Sequence, residues 1–221
     1  MSGVGIIANP LAGKDVRRLV SHAAHTPDAA KIGMIRRAVV GATEAGARRL
    51  VLSDDVNRLG ARAIERLDLP AGTVVEFADG PGTRSRLDTI AAAREMCTAE
   101  LGAVIVLGGD GTCRDVAIGW PDAAMIGVST GTNNVFPRPI ETTAAGVAAG
   151  LVATTAVAFD DVARRAKRLT VRISGSLADV EDLALVEVAV IGTAFTGARA
   201  VTDPSAVRAV VAAVAGPGST G

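Results

Sequence analysis

Short apolar runs alternate with longer amphipathic segments over the first two thirds of the chain. Val4–Ala8, Leu50–Ser53, Val74–Phe77, Ala103–Leu107 and Met125–Val128 are brief, largely β-branched and apolar at successive positions. A strand with one wet face would alternate apolar with polar; these runs predict strands covered on both faces. Between them, Ile32–Ala45, Arg58–Leu67 and Arg84–Leu101 place apolar residues at helical spacing with arginines on the other faces, which predicts crossover helices. Pro27-Asp28, Pro70-Ala71-Gly72 and Gly80-Pro81-Gly82 supply the breaks. The alternation predicts the α/β class: a Rossmann-like three-layer domain with a parallel sheet, spanning residues 1–155.

After Phe159 the pattern changes. Arg168–Ser174 and Leu183–Ile191 have period-two character and flank a polar turn at Ala178–Asp182, so residues 156–221 are expected to form a β-rich second domain. It is short and expected to be incomplete: the sequence ends in Gly216-Pro217-Gly218-Ser219-Thr220-Gly221, and a truncated form of something longer is the expectation.

Composition narrows the function classes. The 221 residues carry 23 basic and 23 acidic side chains, so there is no basic surplus for a nucleic-acid backbone or an anionic membrane. No apolar run approaches the ~20 residues that span a bilayer, and the N-terminus lacks the layout of a secretion signal; a cytoplasmic protein is expected. Two isolated cysteines, Cys97 and Cys113, are too few for a metal site or a disulfide framework and read as small buried hydrophobes. Aromatic residues make up 2 per cent, with no Tyr, leaving few rings for stacking bases.

Three loops carry candidate chemistry. Val104-Ile105-Val106-Leu107 runs into Gly108-Gly109-Asp110-Gly111-Thr112, a buried strand followed by glycines that expose backbone N–H groups to a phosphate. Thr112 is placed to cap a helix over Cys113–Gly119, whose N-terminus would add partial positive charge. Asp110 would repel a phosphate that the loop merely bound. Two jobs fit its carboxylate: coordinating Mg²⁺ that accompanies a nucleotide, or accepting the proton of an attacking hydroxyl. The second loop, Ser129-Thr130-Gly131-Thr132-Asn133-Asn134, also follows a strand and precedes a predicted helix at Glu141–Leu151. The third is Asn9-Pro10-Leu11-Ala12-Gly13-Lys14, which misses the P-loop pattern because Ala8 replaces the leading Gly and Asp15 the Mg²⁺-binding hydroxyl. Gly3-Val4-Gly5-Ile6-Ile7-Ala8 imitates a dinucleotide fingerprint, but no strand precedes it.

These loops, in this order, resemble the NAD kinase and diacylglycerol kinase superfamily, and within it the ATP-NAD kinase-like, acetoin-catabolism protein X-like family. The resemblance is carried by Gly5-Ile6-Ile7-Ala8-Asn9-Pro10, Gly13–Val20, Leu107–Thr112 and Ile126–Pro137. It implies a phosphotransferase moving a phosphoryl group from ATP or polyphosphate to the ribose 2′-hydroxyl of NAD or a related dinucleotide, with Mg²⁺. On the family pattern Asp110 is the catalytic base, and Asn9, Gly108, Gly109, Gly111, Thr112, Thr130, Gly131, Thr132, Asn133 and Asn134 face the nucleotide. Ala184-Leu185-Val186-Glu187-Val188 is similar to the segment in which an Asn-Glu pair contacts the dinucleotide; Val186 stands where the Asn would be, and Glu187 is kept. The resemblance also implies a homo-oligomer acting on small-molecule nucleotides. The alternatives are a lipid or small-alcohol kinase of the diacylglycerol kinase type, and a non-catalytic nucleotide sensor linked to acetoin catabolism. Arg114 and Asp115 are placed to touch phosphate and metal or to be solvated helix positions; Arg17 and Arg18 carry a weaker version of that reading. His22 and His25 are read as surface or packing residues, and Asp179–Asp182 as a solvated turn.

Overall fold

The computed structural model describes residues 3–12, 26–131, 134–175, 179–192 and 204–214. Strands β1 (Val4–Ala8), β2 (Arg49–Ser53), β3 (Val74–Ala78), β4 (Ala103–Gly108) and β5 (Met125–Ser129) form one sheet in the order β3-β2-β1-β4-β5. Every pairing is parallel. The connecting helices are α1 (Asp28–Glu44), α2 (Leu59–Ile64), α3 (Arg86–Thr98), α4 (Asp110–Gly119) and α5 (Thr142–Ala153).

The continuous apolar character of the strands divides between two cores. Val4, Ile6 and Ala8 of β1, Leu50 and Leu52 of β2, and Ala103, Ile105 and Leu107 of β4 pack against Ile35, Val39, Leu59 and Ala149 from α1, α2 and α5. The intervening Ile7, Val51, Val104 and Val106 pack on the opposite face against Ala92, Met96, Cys113 and Val116 from α3 and α4. Successive side chains of a strand point to opposite faces, so a run that is apolar throughout serves both layers. The expected three-layer architecture follows.

The chain reaches β2 and β3 on one side of β1, then crosses to β4 and β5 on the other. The carboxyl ends of β1 and β4 therefore flank a topological switch point, where open α/β sheets leave a crevice for ligands.

Beyond a short helix, α6 (Phe159–Val162), two antiparallel pairs follow: β6 (Leu169–Ile173) with β7 (Val180–Ala184), and β8 (Glu187–Ile191) with β9 (Val207–Ala212). The expected strand Leu183–Ile191 is in fact two. Leu185 leaves the ladder to bury itself in the α3/α4 core, 6 % exposed, and this ends β7 and starts β8 two residues later. Most of the expected turn Ala178–Asp182 is strand β7, and β9 has no counterpart among the expected strands. Among the described residues no helix is long and apolar enough to cross a membrane.

Candidate functional site

Three loops leave the carboxyl ends of β1, β4 and β5, and hydrogen bonds weld them together. The Asn9 amide N–H continues the β1–β4 ladder to the Leu107 carbonyl at 3.1 Å, and the Thr130 N–H donates to the Gly108 carbonyl at 3.2 Å. Across the switch point, Asn9 Nδ2 donates to Thr112 Oγ1 at 3.0 Å, while Asn9 Oδ1 accepts from the Leu11 N–H at 2.8 Å and folds its own loop back. Under that loop lies Lys31, fully buried on α1, whose ammonium donates to the carbonyls of Asn9, Pro10 and Ala12 at 3.1, 2.9 and 2.8 Å. A lysine with no exposed surface is rare unless its donors are used; here three carbonyls take them and the loop is fixed from beneath. Nothing in the sequence pattern of an amphipathic helix marked Lys31 for this position.

Helix α4 begins at Asp110 rather than at Cys113 as expected. Gly109 occupies the cap without a side-chain bond, and the Thr112 hydroxyl, expected at the cap, is instead the acceptor of Asn9. Close approach requires the first glycine before Asp110, since a Cβ on Gly108 would lie 2.5 Å from Thr112 Cβ and Oγ1; one on Gly109 would lie 2.7 Å from Asn134 Oδ1, the movable end of a side chain. Gly111 differs. A Cβ there would meet nothing within 4 Å, so the protein's own packing does not demand a glycine, whereas a ligand approaching the helix N-terminus would.

The Asp110 carboxylate crosses to the loop after β5. Oδ1 accepts from the Phe136 N–H at 2.7 Å, and the Val135 N–H is shared between Oδ1 and Oδ2, both at 3.1 Å. An ionised carboxylate has about four acceptor sites, and these contacts leave part of that capacity on Oδ2. In the same loop Ser129 Oγ donates to the Gly131 carbonyl at 2.7 Å and accepts from Asn134 Nδ2 at 2.7 Å. Thr130 is 4 % exposed, and its Oγ1 has no hydrogen-bond partner among the described residues. A buried hydroxyl without a partner costs free energy that a ligand or water would recover.

The expected positions Asn9, Gly108, Gly109, Asp110, Gly111, Thr112, Thr130, Gly131 and Asn134 thus belong to one welded set of loops. Thr132 and Asn133 lie outside the described residues, as do Gly13–Val20, His22 and His25. Glu187 begins β8 with an exposed side chain, and no described hydrogen bond or ion pair joins it to the loops.

The family model of the ATP-NAD kinase N-terminal domain matches residues 4–156. The chain belongs to that family. Residues 167–221 match the acetoin catabolism protein X C-terminal domain, which covers the paired strands from β6 onward. Acetoin catabolism protein X of Cupriavidus necator is 35 % identical over 99 % of this chain and 62 % of its own length, so the chain spans less than two thirds of that relative. No solved structure matches.

Within the ATP-NAD kinase domain, the residue that follows Thr112 is chemically silent. Cys113 is fully buried behind the loop, and burial, followed by the nearby Asp110 charge, pushes its thiol up to about 12. The unfolded chain would lose that proton near 9, and the folded state holds it. Stability is therefore expected to fall as pH rises from about 9 towards 12, by up to ~1.4 kcal/mol per pH unit. Urea midpoints of the wild type and Cys113→Ala between pH 8 and 11 check this: the gap between the two should narrow as pH rises.

Proposed function

We propose that this protein is an ATP-dependent phosphotransferase whose acceptor is a hydroxyl of NAD or a related dinucleotide. The observation that carries the reading is the first turn of α4: Asp110 and the open Gly111 stand beside Thr112 and Asn9 at the switch point, in a chain of the ATP-NAD kinase family. The α4 N-terminus and the backbone of Gly109–Gly111 would receive the nucleotide phosphates. The acceptor hydroxyl would lie against Oδ2 of Asp110, the carboxylate oxygen with acceptor capacity to spare.

A ribose hydroxyl is a far weaker acid than a carboxylic acid, so Asp110 would orient the hydroxyl and take its proton late. Phosphoryl transfer through a loose transition state asks for little more than positioning and charge stabilisation. Among the described residues no group of three His, Cys, Asp or Glu side chains could hold a metal ion. Mg²⁺ would arrive with the nucleotide, held by substrate phosphates and water, and would neutralise phosphate charge; the Asp110 carboxylate is left to the acceptor hydroxyl. The nucleotide pool of the cytoplasm is the setting that this reading requires.

The test is NADP formation by the purified protein from ATP, NAD and Mg²⁺, with polyphosphate as the alternative donor. Gly111→Ala supplies a sharper one. Since no protein atom opposes the added methyl, stability should stay level or rise by about 0.4–1 kcal/mol. ATP binding should weaken by about tenfold, or about 1.4 kcal/mol, as measured by calorimetry. Equal ATP affinity in the two proteins would remove the α4 N-terminus from the phosphate site.

One observation favours a second reading, a nucleotide sensor without turnover: the Asp110 carboxylate holds the Val135–Phe136 backbone. Tight ATP or NAD binding with no donor consumed would select it, and would join the protein to acetoin catabolism in the way its relative's name suggests.

A further inference from the structure

Arg114, one turn into α4, does not face solvent. Its Nε donates to the Leu183 carbonyl at 2.6 Å, Nη2 is ion-paired with Asp182 on β7, and Nη1 donates to Asp115 Oδ1 at 3.0 Å. The same Asp115 oxygen lies 3.2 Å from Nε of Arg86, the first residue of α3. Asp115 is buried; burial raises its pKa, opposed by Arg86 and Arg114. Asp182 is fixed in turn by the Leu183 N–H at 2.8 Å. One guanidinium thus joins the helix that carries Asp110 and Gly111 to the first antiparallel pair of the second domain, while Leu183 and the buried Leu185 pack beside it against the α3/α4 core.

We propose that Arg114 is a positioning residue: through Asp182 and Leu183 it sets the second domain over the Gly109–Thr112 loop, so that an acceptor held by the second domain meets the phosphate held by α4. The planar fork suits this task because its donors are fixed in direction, and three of them are committed to two different elements. Two neighbouring residues of α4 divide the labour. Asp115 anchors Arg114 sideways to α3, and Arg114 reaches outward to β7. A misplacement of about 1 Å away from the chemistry can lower turnover by about 10²-fold, so the contact matters to a reaction that it does not touch.

The inference rests on the phosphoryl-transfer reading for its consequence, but its physical core is testable without turnover. Asp182→Asn removes the charge at the far end of the fork and leaves Arg114–Asp115 intact; Arg114→Lys keeps the charge but not the fork. Arg172→Gln is the control, since the Arg172–Glu181 pair is exposed on the same two strands and does not reach α4. In the apoprotein, hydrogen exchange of the amides of residues 109–115 should quicken by about tenfold in Asp182→Asn, the lower end expected for losing a charge-assisted bond, and stay unchanged in Arg172→Gln. In assays with ATP and NAD, kcat should fall and the KM for NAD rise in Asp182→Asn and Arg114→Lys, with the KM for ATP held. Exchange at residues 109–115 equal to wild type in Asp182→Asn overturns the proposal whatever the kinetics show. A wild type that transfers no phosphate overturns the kinase reading, while the exchange data still decide the coupling.

Discussion

On the proposed phosphotransferase reading, replacing Asp110 by Asn is expected to lower NADP formation by about 10²–10⁴-fold, the usual size of a general-base contribution. On that reading the carboxylate serves two tasks, and an amide can meet only one of them at a time. Oδ1 and Oδ2 together accept the Val135 and Phe136 N–H groups; in Asn one of those oxygens becomes an NH₂, and a donor faces either a backbone donor or the acceptor hydroxyl. If the NH₂ turns towards the substrate, proton acceptance is lost and the loop survives. If it turns towards Val135, the loop loosens at a cost of about 1–3 kcal/mol for an unpaired buried donor. A thermal melt beside the assay tells the two apart, because the first outcome leaves stability nearly unchanged. Turnover equal to wild type, with a lowered melting temperature, would reduce Asp110 to a bracket for the post-β5 loop and remove it from the proposed mechanism.

The sequence made the sheet legible because its strands obey a rule that needs no tertiary knowledge. Val104 and Val106 face one core, Ile105 and Leu107 the other; a segment with no polar position has no wet face, and only a sheet between two helical layers offers that environment. The Gly108–Thr112 loop was legible for a related reason, since glycines after such a strand have few uses. Its internal wiring was not. A threonine before a helix most often caps it, whereas the Thr112 hydroxyl serves Asn9, 103 positions away in sequence. Arg114 and Asp115 look like any charged pair on a helix until β7 is folded beside them, and Lys31 looks like a solvated helix position until the Asn9–Ala12 carbonyls turn inward. The break at Leu185 was hidden by its neighbours: Ala184, Leu185 and Val186 are all apolar, so the chain shows no polar punctuation where it dives into the core. Long-range polar partners leave no period in a sequence, and the candidate site is built largely from them.

Gly146→Ala is expected to destabilise the protein strongly for a single added methyl. Helices α1 and α5 cross with their backbones nearly in contact. A Cβ on Gly146 would fall 2.2 Å from the Ala38 carbonyl oxygen, and one on Gly41, from the other side, 2.2 Å from the Thr143 oxygen; Gly150 repeats the approach at 2.7 Å from Ala42. The obstacles are backbone atoms, which cannot step aside as a flexible side chain can, so the helices must separate. Separation withdraws Ala38, Ala42, Ala145 and Ala149 from a shared core, losing dispersion contacts along the whole crossing as well as the weak Cα–H···O contacts that close backbones allow. Helix propensity works the other way, since Ala is favoured over Gly by about 1 kcal/mol in a helix interior. Overpacking of a rigid core commonly costs about 1–3 kcal/mol, and contact with backbone on both sides places this site at the upper end or beyond. The net loss expected is therefore about 2 kcal/mol or more, read as a lower urea midpoint with an unchanged slope. A midpoint equal to or above wild type would mean that α1 and α5 are not so closely packed in solution. Because α1 also carries Lys31, the same shift is expected to reach the Asn9 loop, so that on the proposed reading Gly146→Ala weakens ATP binding at temperatures where the protein is still folded.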